Sequence, residues 1–135
     1  MIVDTSALVA SAKDEPESDP LKRAMLRGGL VPAPVLLEYR RVMTERGARP
    51  APEAESVLED LLSAELKVES FTREDADLAA AANLAYGAGN GRGGQLNLFD
   101  LMVYATAKRL GLPILCTGRD FASTDALIHP SSRLW

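Results

Sequence analysis

Residues 96–121, LNLFDLMVYATAKRLGLPILCTGRDF, hold a helix start, a helix stop, a short buried strand and an acidic turn in immediate succession. Asn97 stands where an N-cap is expected, and Asp100, three residues on, completes a plausible capping pair. A helical period runs over 98–110 and stops at Leu110-Gly111, where Gly111 supplies the left-handed residue past the helix end and Pro113 lies just beyond. Residues 113–117 are then a short apolar run bounded by turn residues, which reads as a buried strand.

Working outward, the same alternation covers the chain. Short apolar runs at 2–4, 30–33, 66–71 and 126–129 read as further strands, and segments of helical period lie at 20–28, 34–46, 52–64 and 73–87. Thr72 to Asp75 is a capping-box start, and Pro52 sits where a first-turn proline is tolerated. Strands alternating with helices pair in parallel by crossover connections. The expectation is a three-layer α/β/α sandwich with a mostly parallel sheet of about five strands, in a single domain over 1–135. The glycine-rich segment 87–94 follows a helix and lacks Gly-Lys-Ser/Thr, so it reads as a mobile connector and not as a phosphate loop.

Bulk properties narrow the function classes. The 135 residues are 47% hydrophobic and 25% charged, enough for a core without disulfides. Cys116 is the only cysteine, so no internal disulfide can form and a reducing cytoplasm is the expected location. No basic n-region opens the chain and no apolar stretch is long enough to span a membrane. A net charge of −4 argues against a basic, sequence-independent nucleic-acid binder, but not against an enzyme whose positive charge is a bound metal.

Four acids carry the chemistry, each with a plainer alternative. Asp4 ends the first strand, where open α/β sheets place ligands, or caps a helix beginning near Ala7. Asp100 is the one polar residue in an otherwise apolar or aromatic run, 98–105, so its carboxylate needs a partner, supplied by a site or by the cap at Asn97. Asp120 follows the strand at 113–117, as a site acid or as a turn residue beside Gly118. Glu38 lies at the edge of the apolar helix face formed by Val35, Leu36, Tyr39, Val42 and Met43, within reach of Arg41 as a surface pair. Gathered at one edge of the sheet, such carboxylates would repel by roughly 4 kcal/mol per pair at about 4 Å and an effective dielectric near 20. They would therefore need a cation, and all-oxygen ligation suits Mg²⁺ or Mn²⁺, which serve phosphoryl chemistry.

Other chemistries fit less well. His129, the sole histidine, precedes Pro130 far from any Ser or Cys motif and reads as a strand-end polar residue. Cys116 reads as a core thiol. An aspartyl-phosphate phosphatase would want a second Asp at position 6, which is Ser6, and a receiver-like pocket would want a lysine after Lys108.

In order and spacing, MIVDTSALVA, PVLLEYRRVM, LNLFDLMVYATAKRLGLPILCTGRDF and the closing ASTD resemble the PIN-domain ribonucleases of the VapC toxin family. The resemblance implies the toxin of a type II toxin–antitoxin module, a Mg²⁺- or Mn²⁺-dependent endoribonuclease that cuts structured RNA, tRNA or rRNA, by metal-activated water. It implies Asp4 and Asp100 as metal ligands, with Glu38 and Asp120 completing the catalytic set through water or a second metal. Ser6 and Thr117 would tune the site by hydrogen bonds and Asn97 would orient Asp100, leaving Thr5 and Ser6 to cap the first helix and line the site. A VapB-type antitoxin partner and a homodimer are implied as well. Arg40, Arg41, Arg92 and Arg119 are candidates to hold the RNA backbone. One departure is Phe99, where the family often has a small residue, which puts substrate access in question. The rival readings are a catalytically weak PIN-like RNA- or protein-binding module and a metal-dependent nuclease acting on DNA.

Overall fold

The computed structural model describes residues 1–16, 18–45 and 51–134. The expected helix end at position 46 and the domain limit at 135 lie outside the described residues. Along the chain come β1 (Ile2–Val3), α1 (Thr5–Ala12), α2 (Asp19–Met25), β2 (Gly29–Pro32), α3 (Ala33–Glu45) and α4 (Ala51–Ala64). They are followed by β3 (Leu66–Glu69), α5 (Arg73–Tyr86), α6 (Leu98–Leu110), β4 (Ile114–Leu115) and a 3₁₀ turn over Asp120–Ser123.

The sheet is parallel throughout, in the order β3-β2-β1-β4. β1 is central, with Ile2 opposite both Leu30 and Ile114. Because β2 and β3 step away from β1 in one direction and β4 lies on its other side, right-handed crossovers put α1–α4 on one face and α5–α6 on the other. That reversal leaves a crevice at the carboxyl ends of β1 and β4, where α/β sheets bind ligands. Ile2, Val3, Ile114, Leu115 and Cys116 are completely buried between the layers, so the sheet centre is held by apolar packing. Among the described residues no helix is long and apolar enough to cross a membrane.

Four strands form where about five were expected. Segment 126–129 contributes a single bridge, Ile114 to Ile128, instead of a strand. Between that bridge and a second, Thr117 to Arg133, a side chain interrupts the ladder: Ser132 Oγ accepts the Cys116 N–H at 3.0 Å and donates to the Ile114 carbonyl at 3.1 Å. The chain here therefore follows β4 as two isolated bridges and not as a continuous strand. β3 also stops at Glu69, short of residue 71, and α2 gives way before Gly28, whose φ of 103° no helix accommodates.

The local signals hold. Thr72 and Asp75 form the reciprocal capping box of α5. Asn97 and Asp100 do the same for α6, and Gly111 closes that helix in the left-handed region at φ 66°. A Cβ at Gly111 would meet nothing within 4 Å, so the cost of a side chain there is conformational alone. Gly111→Ala is therefore expected to lower stability by about 1 kcal/mol in urea denaturation; a loss several times larger would mean that an unseen clash decides. The segment expected as a mobile connector is closed on itself. Asn90 Oδ1 accepts the N–H groups of Arg92 and Gly94, and Ala88 and Leu96 are joined through the backbone.

Candidate active site

Asp4 leaves β1 with its N–H donated to the Leu115 carbonyl at 3.0 Å, which ties the end of β1 to β4. It is also the N-cap of α1, so the helix starts at Thr5 and not near Ala7. Asp4 Oδ2 accepts the Ser6 N–H at 3.0 Å and the Ser6 hydroxyl at 2.5 Å. The cap and the site are thus one residue, and Thr5 and Ser6 lie inside the helix instead of capping it. Ser6 Oγ in turn accepts the Thr117 N–H at 3.0 Å. This short relay locks the carboxyl ends of β1 and β4 around the Asp4 carboxylate.

Asp100 reaches the same place from the other face of the sheet. At the third position of α6 its Oδ2 accepts the Asn97 N–H at 2.9 Å, while Asn97 Oδ1 accepts the Asp100 N–H at 3.0 Å. The box fixes the rotamer and leaves Oδ1 with no protein partner among the described residues. Glu38, on α3 after β2, is half-buried and accepts the Thr5 hydroxyl at 2.6 Å across a sequence separation of 33 residues. Asp120 opens the 3₁₀ turn and is exposed.

All seven residues expected at the site, Asp4, Ser6, Glu38, Asn97, Asp100, Thr117 and Asp120, line one cleft of about 330 Å³. Electrostatically they are in conflict. Burial pushes the Asp4 carboxyl above its ordinary value against the Ser6 and Thr5 hydrogen bonds, and the Asp120 charge adds to the rise. Glu38 is likewise raised by burial, opposed by the Thr5 bond and reinforced by Asp4. Asp100 is pushed up to about 7, first by burial and then by the charges of Asp4, Asp120 and Glu38. Carboxylates that raise one another are short of positive charge.

A divalent cation fits that shortage. Among the described residues no three His, Cys, Asp or Glu side chains gather tightly enough to enclose an ion unaided. A hard cation such as Mg²⁺ does not need this, since it keeps several waters and takes one or two carboxylates directly. Asp4 and Asp100, with an oxygen each free of the capping bonds, suit that role.

Other expectations sort themselves. Phe99, the departure noted above, is half-buried and is not among the residues lining the cleft. Arg40 is engaged with Glu55 across α3 and α4, with Nη2 to Oε2 at 3.1 Å, and Arg92 and Arg119 are exposed outside the cleft lining. Cys116 is fully buried with its thiol pushed up to about 12 by burial, a core thiol as expected. His129 accepts the Ser131 N–H through Nδ1, at the chain's turn out of its bridge to β4. The sequence reading had Thr5 lining the site but not as the partner of Glu38, a pairing that spacing does not reveal, and it missed two charged residues of the cleft, Glu15 and Lys13. The latter had a signal, since Ser6, Val9, Ala10 and Lys13 follow a helical face spacing.

Residues 1–127 match the family model described as PIN domain. The chain is 43% identical over 129 residues to ribonuclease VapC36 of Mycobacterium tuberculosis, covering 93% of this chain and 90% of that protein. It is 38% identical to ribonuclease VapC42 of the same organism, over 93% of this chain and 95% of the relative. Among solved structures, M. tuberculosis VapC20, described as a sarcin–ricin loop cleaving toxin, superposes with a TM-score of 0.72 at 18% identity, over 93% of this chain and 95% of that one. VapBC2 from Rickettsia felis, bound to a DNA fragment from its promoter, gives 0.70 at 14% identity over 99% and 96%. The last two likenesses bear on the fold. Together with an acid-lined crevice at the reversal of a parallel sheet, the sequence matches establish that the chain belongs to the PIN-domain family, among the VapC ribonucleases.

Proposed function

We propose that this chain, as one PIN domain over 1–135, is the toxin of a type II toxin–antitoxin module and an endoribonuclease acting on structured RNA, with Mg²⁺ or Mn²⁺ as cofactor. The observation that carries the reading is the convergence of Asp4, Glu38, Asp100 and Asp120 in one cleft of a chain 43% identical to a VapC ribonuclease. Asp4 and Asp100 would hold the cation, which would supply Lewis-acid polarisation of the phosphate and make water more acidic.

The chain's own residues do the rest. Ser6 keeps the Asp4 carboxylate in one rotamer and Asn97 does the same for Asp100, so neither ligand has to reorganise when charge develops. Glu38, raised by burial and aimed by Thr5, is placed to take a proton from the attacking water. Asp120 at the mouth orients that water. Thr117 keeps the relay to Ser6 in place from β4.

A VapB-type antitoxin is the expected partner, and a basic segment of such a protein would meet a cleft whose lining holds five carboxylates, Glu15 being the fifth. The homodimer is supported by an apolar groove of about 360 Å³ between α5 and α6, lined by Phe71, Ala79, Leu98, Leu101 and Met102. Incubating the purified chain with total RNA, with and without Mn²⁺ or Mg²⁺, is expected to give metal-dependent cleavage that Asp4→Asn lowers at least about 10²-fold. Duplex and single-stranded DNA serve as parallel substrates and are expected to stay intact. Equal cleavage by the variant, or none by either protein with any metal, would sink the mechanism.

A further inference from the structure

Lys13 is the one cationic side chain that lines the cleft among the described residues. It stands at the C-terminal end of α1, where the helix dipole favours a positive charge. Five carboxylates share the cleft with it, yet its ammonium forms no ion pair with any described residue. In the same region Lys22 is held by Asp14, so carboxylates near Lys13 do capture lysines when they reach them. A half-exposed ammonium in an acid-lined cleft, left unpaired, is available to an anion that enters from solution.

Its position suggests which anion. Ser6, Val9, Ala10 and Lys13 all line the cleft and follow one another at the spacing of a single helix face. Seven residues of α-helix separate Ser6 from Lys13, about 10 Å along the axis. The cation would neutralise the phosphate that is cut, which leaves Lys13, farther along one face of α1 in the same cleft, for the next one. We propose that Lys13 binds a neighbouring backbone phosphate of the RNA and so lays the strand along α1 with the scissile bond over Asp4 and Asp100. Lys13 is thus a substrate-positioning residue, reading backbone and not sequence. The inference rests on the ribonuclease reading for its substrate, but its contact can be measured without cleavage.

Two measurements on the full chain separate them. In the first, fluorescein-labelled bulk transfer RNA is titrated over a range of salt with the Asp4→Asn protein, alone and combined with Lys13→Ala or Lys13→Arg. Lys13→Ala is expected to weaken binding about tenfold and to reduce the salt slope by about 0.7–0.9, one phosphate contact, while Lys13→Arg restores both. In the second, cleavage of the RNA that the unaltered chain cuts is followed: Lys13→Ala is expected to raise KM about tenfold with kcat unchanged. An unchanged slope and KM in Lys13→Ala, with cleavage intact, overturns the inference and leaves the nuclease standing. A Lys13-dependent slope in a chain that cuts no RNA supports the contact and removes the nuclease reading instead.

Discussion

Replacing Asp100 by asparagine is expected to lower RNA cleavage by about 10²–10³-fold and, in the same protein, to raise the stability of the metal-free chain above pH 7. The two effects have one cause. Asp100 is buried and faces three other acids, which together push it to about 7, where the unfolded chain would release its proton near the ordinary 3.8. Between those values the folded protein binds more protons than the unfolded one, so stability falls as pH rises through that window. At about 1.4 kcal/mol per unit, the full penalty above pH 7 is on the order of 4 kcal/mol, an upper limit because the cleft is open to water. Asparagine does not ionise, and its carbonyl still accepts the Asn97 N–H. Urea denaturation in EDTA should therefore show the variant more stable by a few kcal/mol at pH 8 and indistinguishable near pH 4. Added Mn²⁺ should stabilise the unaltered chain and leave the variant unmoved. If the two proteins melt alike at pH 8 without metal, Asp100 is not held in opposition to its neighbours, and the argument that this cleft demands a cation loses its main support.

How far the sequence foretold this arrangement depends on the range of each interaction. Signals confined to one helix turn were readable: Thr72 with Asp75, Asn97 with Asp100, and Gly111 before Pro113 all did what their types and spacings predict. The parallel sheet was readable too, because alternation of short apolar runs with helical periods leaves few other topologies. That put Asp4 and Asp120 at strand carboxyl ends and Asp100 at a buried helix start, and position near a topological reversal is most of what makes them a site. The double service of Asp4 was not readable, because an N-cap and a cleft acid have the same local pattern and were weighed as rivals. Nor was the loss of the fifth strand. Its segment pairs with β4 only as two isolated bridges, with the Ser132 hydroxyl inserted between them, a contact 16 residues away from Cys116 that no periodicity encodes. The partnership of Thr5 with Glu38 lies outside local patterns for the same reason.

The largest expected loss of stability lies at the other end of α6, at Arg109, whose partners are equally nonlocal. Its Nε donates to Asp75 Oδ1 at 2.6 Å, and Nη2 donates to Asp75 Oδ2 at 3.2 Å, to Glu69 Oε1 at 3.0 Å and to the Ser70 carbonyl at 3.3 Å. One guanidinium so joins α6 to the start of α5 and the end of β3. The Asp75 side chain is wholly out of solvent and also closes the α5 capping box by accepting the Thr72 N–H at 2.9 Å. Burial alone would raise its carboxyl, but the Arg109 and Thr72 bonds prevail and hold it below the ordinary value. The pair therefore stabilises above the unfolded pKa near 3.8, and that contribution is lost as pH falls through the lower folded value. Arg109→Ala leaves a charged, buried carboxylate without its counterion and is expected to cost about 3–5 kcal/mol at pH 7. For a chain of this length that is a fall in Tm of about 10 °C or more. Arg109→Lys keeps the charge but not the fork and should fall between the two. Below its lowered Tm the Ala variant should cut RNA with the kcat of the unaltered chain, since Asp100 is set by the box at the opposite end of the helix. A loss under about 1 kcal/mol would place the pair with ordinary surface bridges and mean that apolar packing of α5 on α6 suffices to hold Asp100 in position.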